Sequence, residues 1–337
     1  MPSKIREVDT ESLAMLASRS DRVLEPVVVR GVARETPVVK AAAKGDDNLI
    51  AYLIGLAQPC KVASLHASDQ TMGKFGYSAD MSSFNFRRAD TTFPEFLHAL
   101  LEHDSKQGSL VVQGIRANEA VPGFGQENGI ASLPNGGEYR LWLGTRAVVA
   151  IHSDPAPNVA YVAAGRRRFT LYAPEEIGNL YMGPFDPAPN GTQISLADPL
   201  APDLDRFPRF GGAIERSQAS DLYPGDAIFI PTGWYHHVEA TEPINLLVNY
   251  WWRGSQATAS PWDALMHGFM SLRSLPPADR RVWRAMFDHY IFEANGDPGE
   301  HLPERVRGIL AHPSPLMIEG MRQAIVRSLT GLKSLNK

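Results

Sequence analysis

Arg146-Ala147-Val148-Val149-Ala150-Ile151-His152-Ser153-Asp154 is a strand-like run that closes on an imidazole and a carboxylate one residue apart. On an extended chain residues i and i+2 point to the same side, so His152 and Asp154 can reach one ion while Ser153 faces away. That spacing alone is common in chains of this length, and a third ligand has to come from another strand. Ala227-Ile228-Phe229-Ile230, then the turn Pro231-Thr232-Gly233 and Trp234-Tyr235-His236-His237, supplies the candidate. Two imidazoles and one carboxylate on one face of a small β-barrel hold an Fe(II)-type ion and leave positions open for chemistry. The pattern implies an oxygen-activating metalloenzyme with His152, Asp154 and His236 as its catalytic and metal-ligating residues. His236 and His237 compete for the third position, because adjacent residues of an extended chain face opposite ways.

Working outward, residues 139–143, 146–151, 159–162, 167–172, 227–230 and 244–252 read as short strands separated by Pro, Gly and Asp. That spacing predicts an antiparallel barrel or double-sheet jelly roll. The Pro-rich stretch 184–208 reads as a loop over the barrel mouth. Before about residue 133, short strands at 26–30 and 109–113 mix with helices. Leu49, Tyr52, Leu53 and Leu56 keep helical spacing, and Thr92-Phe93-Pro94-Glu95 has the form of a capping box. After residue 261 three apolar stripes, Trp262/Leu265/Met266/Phe269, Trp283/Met286/Phe287/Tyr290 and Met317/Met321/Ala324/Ile325, predict three helices. The expected organisation is mainly β with added helices: a mixed α/β region (1–133) that completes the barrel, a jelly-roll core with the metal site (134–255), and a C-terminal helical region (256–337). Three short helices cannot bury both faces alone, so they are expected to pack on a partner subunit as a homodimer, or to cover the barrel.

Of 337 residues, 44% are hydrophobic and 21% charged, enough apolar material for a sizeable core. A formal net charge of −4 offers no bulk positive field, so neither DNA nor an acidic membrane is an expected partner. Cys60, the sole cysteine, can form no intrachain disulfide and excludes a Cys-based zinc site. With no signal-like or membrane-length apolar run, cytoplasmic residence is the expectation. His66, His98, His103, His267, His289, His301 and His312 show no paired spacing and read as surface or core residues.

The span 141–253 resembles the JmjC-related cupin-like hydroxylases, a family that includes an asparaginyl hydroxylase. The matching features fall in one order: Leu143-Gly144, His152-Ser153-Asp154, Asn158, Gly165-Arg166-Arg167-Arg168, Arg206-Phe207-Pro208, Pro224-Gly225-Asp226, Ile230-Pro231, Trp234-Tyr235-His236-His237 and Val248-Asn249-Tyr250-Trp251. The resemblance implies a double-stranded β-helix (cupin) core and an oxygenase that uses Fe(II), 2-oxoglutarate as cosubstrate and O2. It assigns the third ligand to His236 and leaves His237 behind the site or at the surface. It further implies that Arg167 meets the distal carboxylate of 2-oxoglutarate, that Asn158 and Asn249 line the cosubstrate pocket with Trp251 beside them, and that the C-terminal helices build a homodimer.

Strand parity agrees with these assignments. Arg167, Phe169 and Leu171 share a face, and a cation aimed into an apolar interior needs an anion there; a dicarboxylate supplies one that a guanidinium can hold with two parallel hydrogen bonds. Arg167 could instead join Arg166 and Arg168 in an exposed patch, Asn249 could be a satisfied core amide, Trp251 a core residue, and Asn158 a turn cap. The chain departs from the asparaginyl hydroxylase where Arg167 replaces a lysine, and where Val111 and Val149 replace a tyrosine and a threonine that touch the cosubstrate. Two lost hydrogen bonds at about 1 kcal/mol each weaken binding roughly tenfold or more, or admit a different oxo acid. A metal cupin without an oxo acid and a non-catalytic binding protein are the other classes. The substrate, a protein or a small amino-acid-like molecule, is not specified by these residues.

Overall fold

The computed structural model describes residues 2–18, 25–186, 188, 192–252, 259–311 and 313–330. The end of the family-like span at Arg253, the expected boundary at 255/256, His312 and positions 187 and 189–191 of the Pro-rich stretch lie outside these residues.

Fifteen strands are present among the described residues: β1 (Ser3–Lys4), β2 (Arg6–Glu7), β3 (Val27–Val29), β4 (Lys61–Ala67), β5 (Lys74–Phe75), β6 (Phe86–Thr92), β7 (Ser109–Arg116), β8 (Glu138–Gly144), β9 (Ala147–Ser153), β10 (Asn158–Ala164), β11 (Arg167–Tyr172), β12 (Gln218–Leu222), β13 (Ala227–Ile230), β14 (Tyr235–Ala240) and β15 (Asn245–Trp251). They form a six-stranded sheet ordered β1-β12-β11-β14-β9-β5 and a nine-stranded sheet ordered β2-β3-β13-β10-β15-β8-β7-β4-β6. Pairing is antiparallel except for β1–β12, β2–β3 and β5–β9. Strands from both sides of residue 133 share the larger sheet, and residues 1–255 make one compact unit.

Parity explains why β10 reads as an unbroken apolar run. Ala160 and Val162 face inward with Ile228, Ile230 and Leu247 and meet Phe169, Leu171 and Val238 of the smaller sheet. Val159, Tyr161 and Ala163 face outward under a helical layer that carries Leu49, Ile50, Leu53, Phe93, Phe96 and Leu97. A strand covered on both faces has no polar side to show. The helix Phe93–Leu101 starts on the expected capping box, Thr92 Oγ1 accepting from the Glu95 amide and Glu95 accepting from the Thr92 amide at 2.9 Å.

The structure adds strands that the sequence reading left out. β6 carries Arg87, Arg88 and Asp90 on an edge, where charge blunts further pairing and hides the strand pattern. His236 does not end the Ala227–Ile230 strand; it is the second residue of its own strand, β14, after the Pro231–Gly233 turn. Within the Pro-rich stretch, Ser195 makes an isolated bridge to Met182.

Residues 256–337 form a second unit with helices Pro261–Ser271, Pro277–Tyr290 and Pro315–Thr330. Ser260 caps the first, accepting from the Trp262 amide at 3.2 Å. Trp262, Leu265, Met266, Trp283, Met286, Phe287 and Tyr290 are exposed. No helix among the described residues is long and apolar enough to cross a membrane.

Candidate metal centre

β14 lies between β11 and β9, and His236 sits opposite His152 in the β14–β9 register. Further along, Val238 pairs with Val149, so three steps of β9 match two of β14. This one-residue bulge at Ala150–Ile151 re-phases the strand. Val149 packs inside the barrel, Ile151 packs in the cluster outside it, and His152 returns to the inside beside His236.

Ligand atoms of His152, Asp154 and His236 all lie within 4.8 Å of one another. His236 Nε2 and Asp154 Oδ2 are 3.8 Å apart, and the imidazole centroids are 4.2 Å apart. Both rings are oriented by backbone: His152 Nδ1 lies 2.9 Å from the Ala150 carbonyl and His236 Nδ1 3.2 Å from the Trp234 carbonyl. A carbonyl only accepts, so Nδ1 carries the proton in each ring and the Nε2 lone pair is free for an ion. Burial holds the His236 imidazole well below the ordinary histidine range, hence neutral. Burial also raises the Asp154 carboxyl, and the positive charge of Arg140 opposes that rise. Two imidazole Nε2 atoms turned toward one point and a carboxylate that gains from a nearby positive charge fit a divalent cation of the Fe(II) class.

Behind this triad Asn158 Nδ2 donates to Asp154 Oδ2 at 3.2 Å, and Asn249 Nδ2 donates to Asn158 Oδ1 at 3.3 Å. The Gly233 amide, in the turn before β14, donates to the Asp154 carbonyl at 3.3 Å. Asn158 is therefore placed on the metal-binding carboxylate, with Asn249 next in line across the β10–β15 pairing.

Arg167 enters the barrel from β11 and is buried, while Arg166 and Arg168 turn outward and each meet Asp221 at 3.1 Å. Its Nη2 donates to the Trp142 carbonyl at 3.1 Å, its Nε has no acceptor, and among the described residues no carboxylate lies within ion-pair distance of it. Burial brings its pKa down to about 10. Three more polar atoms nearby in the sheet register are buried and unpartnered: Trp142 Nε1, Trp251 Nε1 and Asn249 Oδ1. Such atoms are rare in native proteins unless a ligand or water completes them. A donor-rich interior built around an unpaired guanidinium fits an anionic cosubstrate.

His237 points away from the triad, as parity requires, but it is not at the surface. It is 1% exposed, neither ring nitrogen has a hydrogen-bond partner, and it lines a separate cavity of about 280 Å³ with Lys74, Phe75 and Asp198. Val149 lies in the barrel interior, whereas Val111 packs in another cluster with Leu65, Phe75, Ala147 and Ala240. The sequence reading passed over two residues here. Arg140 holds its guanidinium 5.1 Å from the centroid of the Trp251 ring, and Trp142 anchors Arg167. The alternation Glu138-Tyr139-Arg140-Leu141-Trp142-Leu143 carried the signal, since Tyr139, Leu141 and Leu143 take the helix-covered side.

A sequence profile described as a cupin-like domain matches residues 21–258. Lysine-specific demethylase JMJ31 of Arabidopsis thaliana is 29% identical over 161 residues, 47% of this chain and 28% of that protein. HSPB1-associated protein 1 of Homo sapiens is 34% identical over 119 residues, 35% of this chain and 24% of that protein. Lysine-specific demethylase 8 of Xenopus tropicalis is 34% identical over 114 residues, 33% of this chain and 24% of that protein. The similarity thus spans only 24% to 28% of the length of these relatives.

Proposed function

The chain belongs to the JmjC-related cupin-like family, and from that premise we propose that it is an Fe(II)- and 2-oxoglutarate-dependent oxygenase that hydroxylates a protein side chain or a small amino-acid-like substrate. One observation carries the reading. A two-histidine, one-carboxylate triad and a buried guanidinium with no counter-anion among the described residues project into the same barrel.

His152 Nε2, His236 Nε2 and an Asp154 oxygen would hold the ion and leave positions open. When bound there, iron(II) with 2-oxoglutarate supplies activation of O2, with decarboxylation of the oxo acid to succinate and CO2. The chain's own part is placement. The Ala150 and Trp234 carbonyls fix both imidazoles in the Nδ1–H tautomer, and Asn158 fixes the Asp154 oxygen. Arg167 would neutralise the distal carboxylate, and the apolar walls Val149, Phe169, Leu171 and Val238 keep water out of the interior. Two of the relatives are named lysine demethylases; removal of a lysine methyl group begins as hydroxylation of that methyl, so such a substrate falls within the same chemistry. Val149, which offers no hydroxyl, speaks for a metal cupin without an oxo acid, but that alternative leaves Arg167 buried with no anion among the described residues. A cytoplasmic homodimer joined through the C-terminal helices completes the reading, supported by the lone cysteine and the exposed apolar stripes.

Anaerobic titration of the iron-loaded protein with 2-oxoglutarate should produce a metal-to-ligand charge-transfer band, and aerobic incubation with substrate should release succinate. Tight metal binding with neither signal refutes the cosubstrate assignment.

A further inference from the structure

Arg167 alone does not exhaust the acceptors of a carboxylate, which offers about four lone-pair sites. Trp142 stands beside it in an unusual backbone setting. In the β7–β8 pairing Val112 faces Leu143 and Ile115 faces Leu141, so Gln113 and Gly114 both oppose Trp142. Gly114 takes φ +66°, and a Cβ there would lie 3.7 Å from Trp142 Cζ2. That distance is ordinary contact, so glycine is required here for the left-handed backbone of the bulge that sets the indole against β7. The ring packs on the barrel-interior cluster, as does Val149, while the Trp142 carbonyl accepts from Arg167. Its Nε1–H is buried without an acceptor, a state that costs free energy unless a ligand completes it.

We propose that the Trp142 indole N–H is a second donor to the distal carboxylate of the oxo acid, standing in for the hydroxyl that Val149 does not provide. The inference rests on the oxygenase reading. One residue then does two things: its carbonyl steers the guanidinium and its side chain shares the anion. The chain stays selective for a dicarboxylic oxo acid although the expected hydroxyl donors are gone.

The test measures binding, not turnover, on full-length protein loaded with Mn(II) under argon. Calorimetric titration compares 2-oxoglutarate with 2-oxovalerate, a chain of the same length that lacks the distal carboxylate. Trp142→Phe should weaken 2-oxoglutarate binding about tenfold and leave 2-oxovalerate binding within about twofold, as expected for one hydrogen bond to a charged group. Equal loss for both ligands, or loss for neither, overturns the donor role, since a mere wall serves both alike. Because the variant can fail to fold, the wild-type protein loaded with Zn(II) gives a second reading: the Trp142 indole 15N–1H resonance should move downfield with 2-oxoglutarate and stay in place with 2-oxovalerate. An unmoved resonance with 2-oxoglutarate bound also overturns the donor role. Failure of the wild-type protein to bind 2-oxoglutarate at all overturns the oxygenase reading itself and this inference with it.

Discussion

Arg30 and Arg167 put the same side chain in two regions of the molecule, and their surroundings differ in kind. Outside the barrel Arg30 is saturated: it reaches Glu7 Oε1 at 2.9 Å, Asp226 Oδ2 at 2.8 Å, Ser220 Oγ at 3.1 Å and the Asp221 carbonyl at 2.8 Å. Inside, Arg167 has the Trp142 carbonyl and, among the described residues, no carboxylate at ion-pair distance. A saturated cluster holds strands together; an unsaturated one awaits a ligand. The interior of this protein is arranged for binding at the expense of the apo state, and its periphery for stability.

The largest break in that contrast comes from the triad. Asp154→Ala should lower divalent metal affinity at least about a hundredfold, beyond the tenfold to hundredfold typical of outer partners, as read by competition with a chromogenic chelator. Retained affinity would mean that the ion sits elsewhere. Next come the two arginines themselves. Arg167→Met should weaken 2-oxoglutarate binding by roughly a hundredfold, the loss of two charged hydrogen bonds, yet leave the ligand-free protein melting at or above the wild-type temperature, because an uncompensated buried charge is gone. Arg30→Met should do the reverse, costing about 2 kcal/mol of stability with Asp226 left short of its cation, discounted for the exposure of Arg30. A destabilised Arg167→Met would erase the distinction. Asn158→Ala, one contact removed from the ion, should cost about tenfold in metal affinity while the fold holds.

The smallest effect belongs to the periphery. Glu176 meets Arg216 Nε at 2.6 Å and Nη2 at 2.9 Å, and this partner holds its carboxyl below the ordinary value of 4.5. A depressed carboxyl stabilises the fold above pH 4.5, and that contribution fades as pH falls through the lowered folded value. Glu176→Gln should therefore cost about 1 kcal/mol or less at neutral pH, given the exposure of Arg216, and nothing in strong acid. Urea titrations at both pH values give the comparison.

The difference between the two regions was unevenly legible in the sequence. The ligands could be read because period-two alternation applies locally to His152 and Asp154, and Arg167 because its neighbours Phe169 and Leu171 had to face a core. The Arg166-Arg167-Arg168 triplet divides by the same rule, one inward and two outward. What escaped was long-range pairing. The β9 bulge exists only against β14, the partner of Trp142 only against the β7 bulge, and the buried position of His237 only because 74–85 and 194–199 cover that side. β6 escaped for a different reason, as an edge strand whose exposed arginines mask alternation.

Ala150 contributes to the metal site through its carbonyl alone, since that oxygen is what aligns the His152 ring. A mutational scan at this position will accordingly score it as permissive, because most replacements keep the same backbone acceptor. Chemical semisynthesis reveals what genetics overlooks: an ester in place of the amide joining 150 to 151 weakens that acceptor without altering any side chain, and the imidazole loses its alignment.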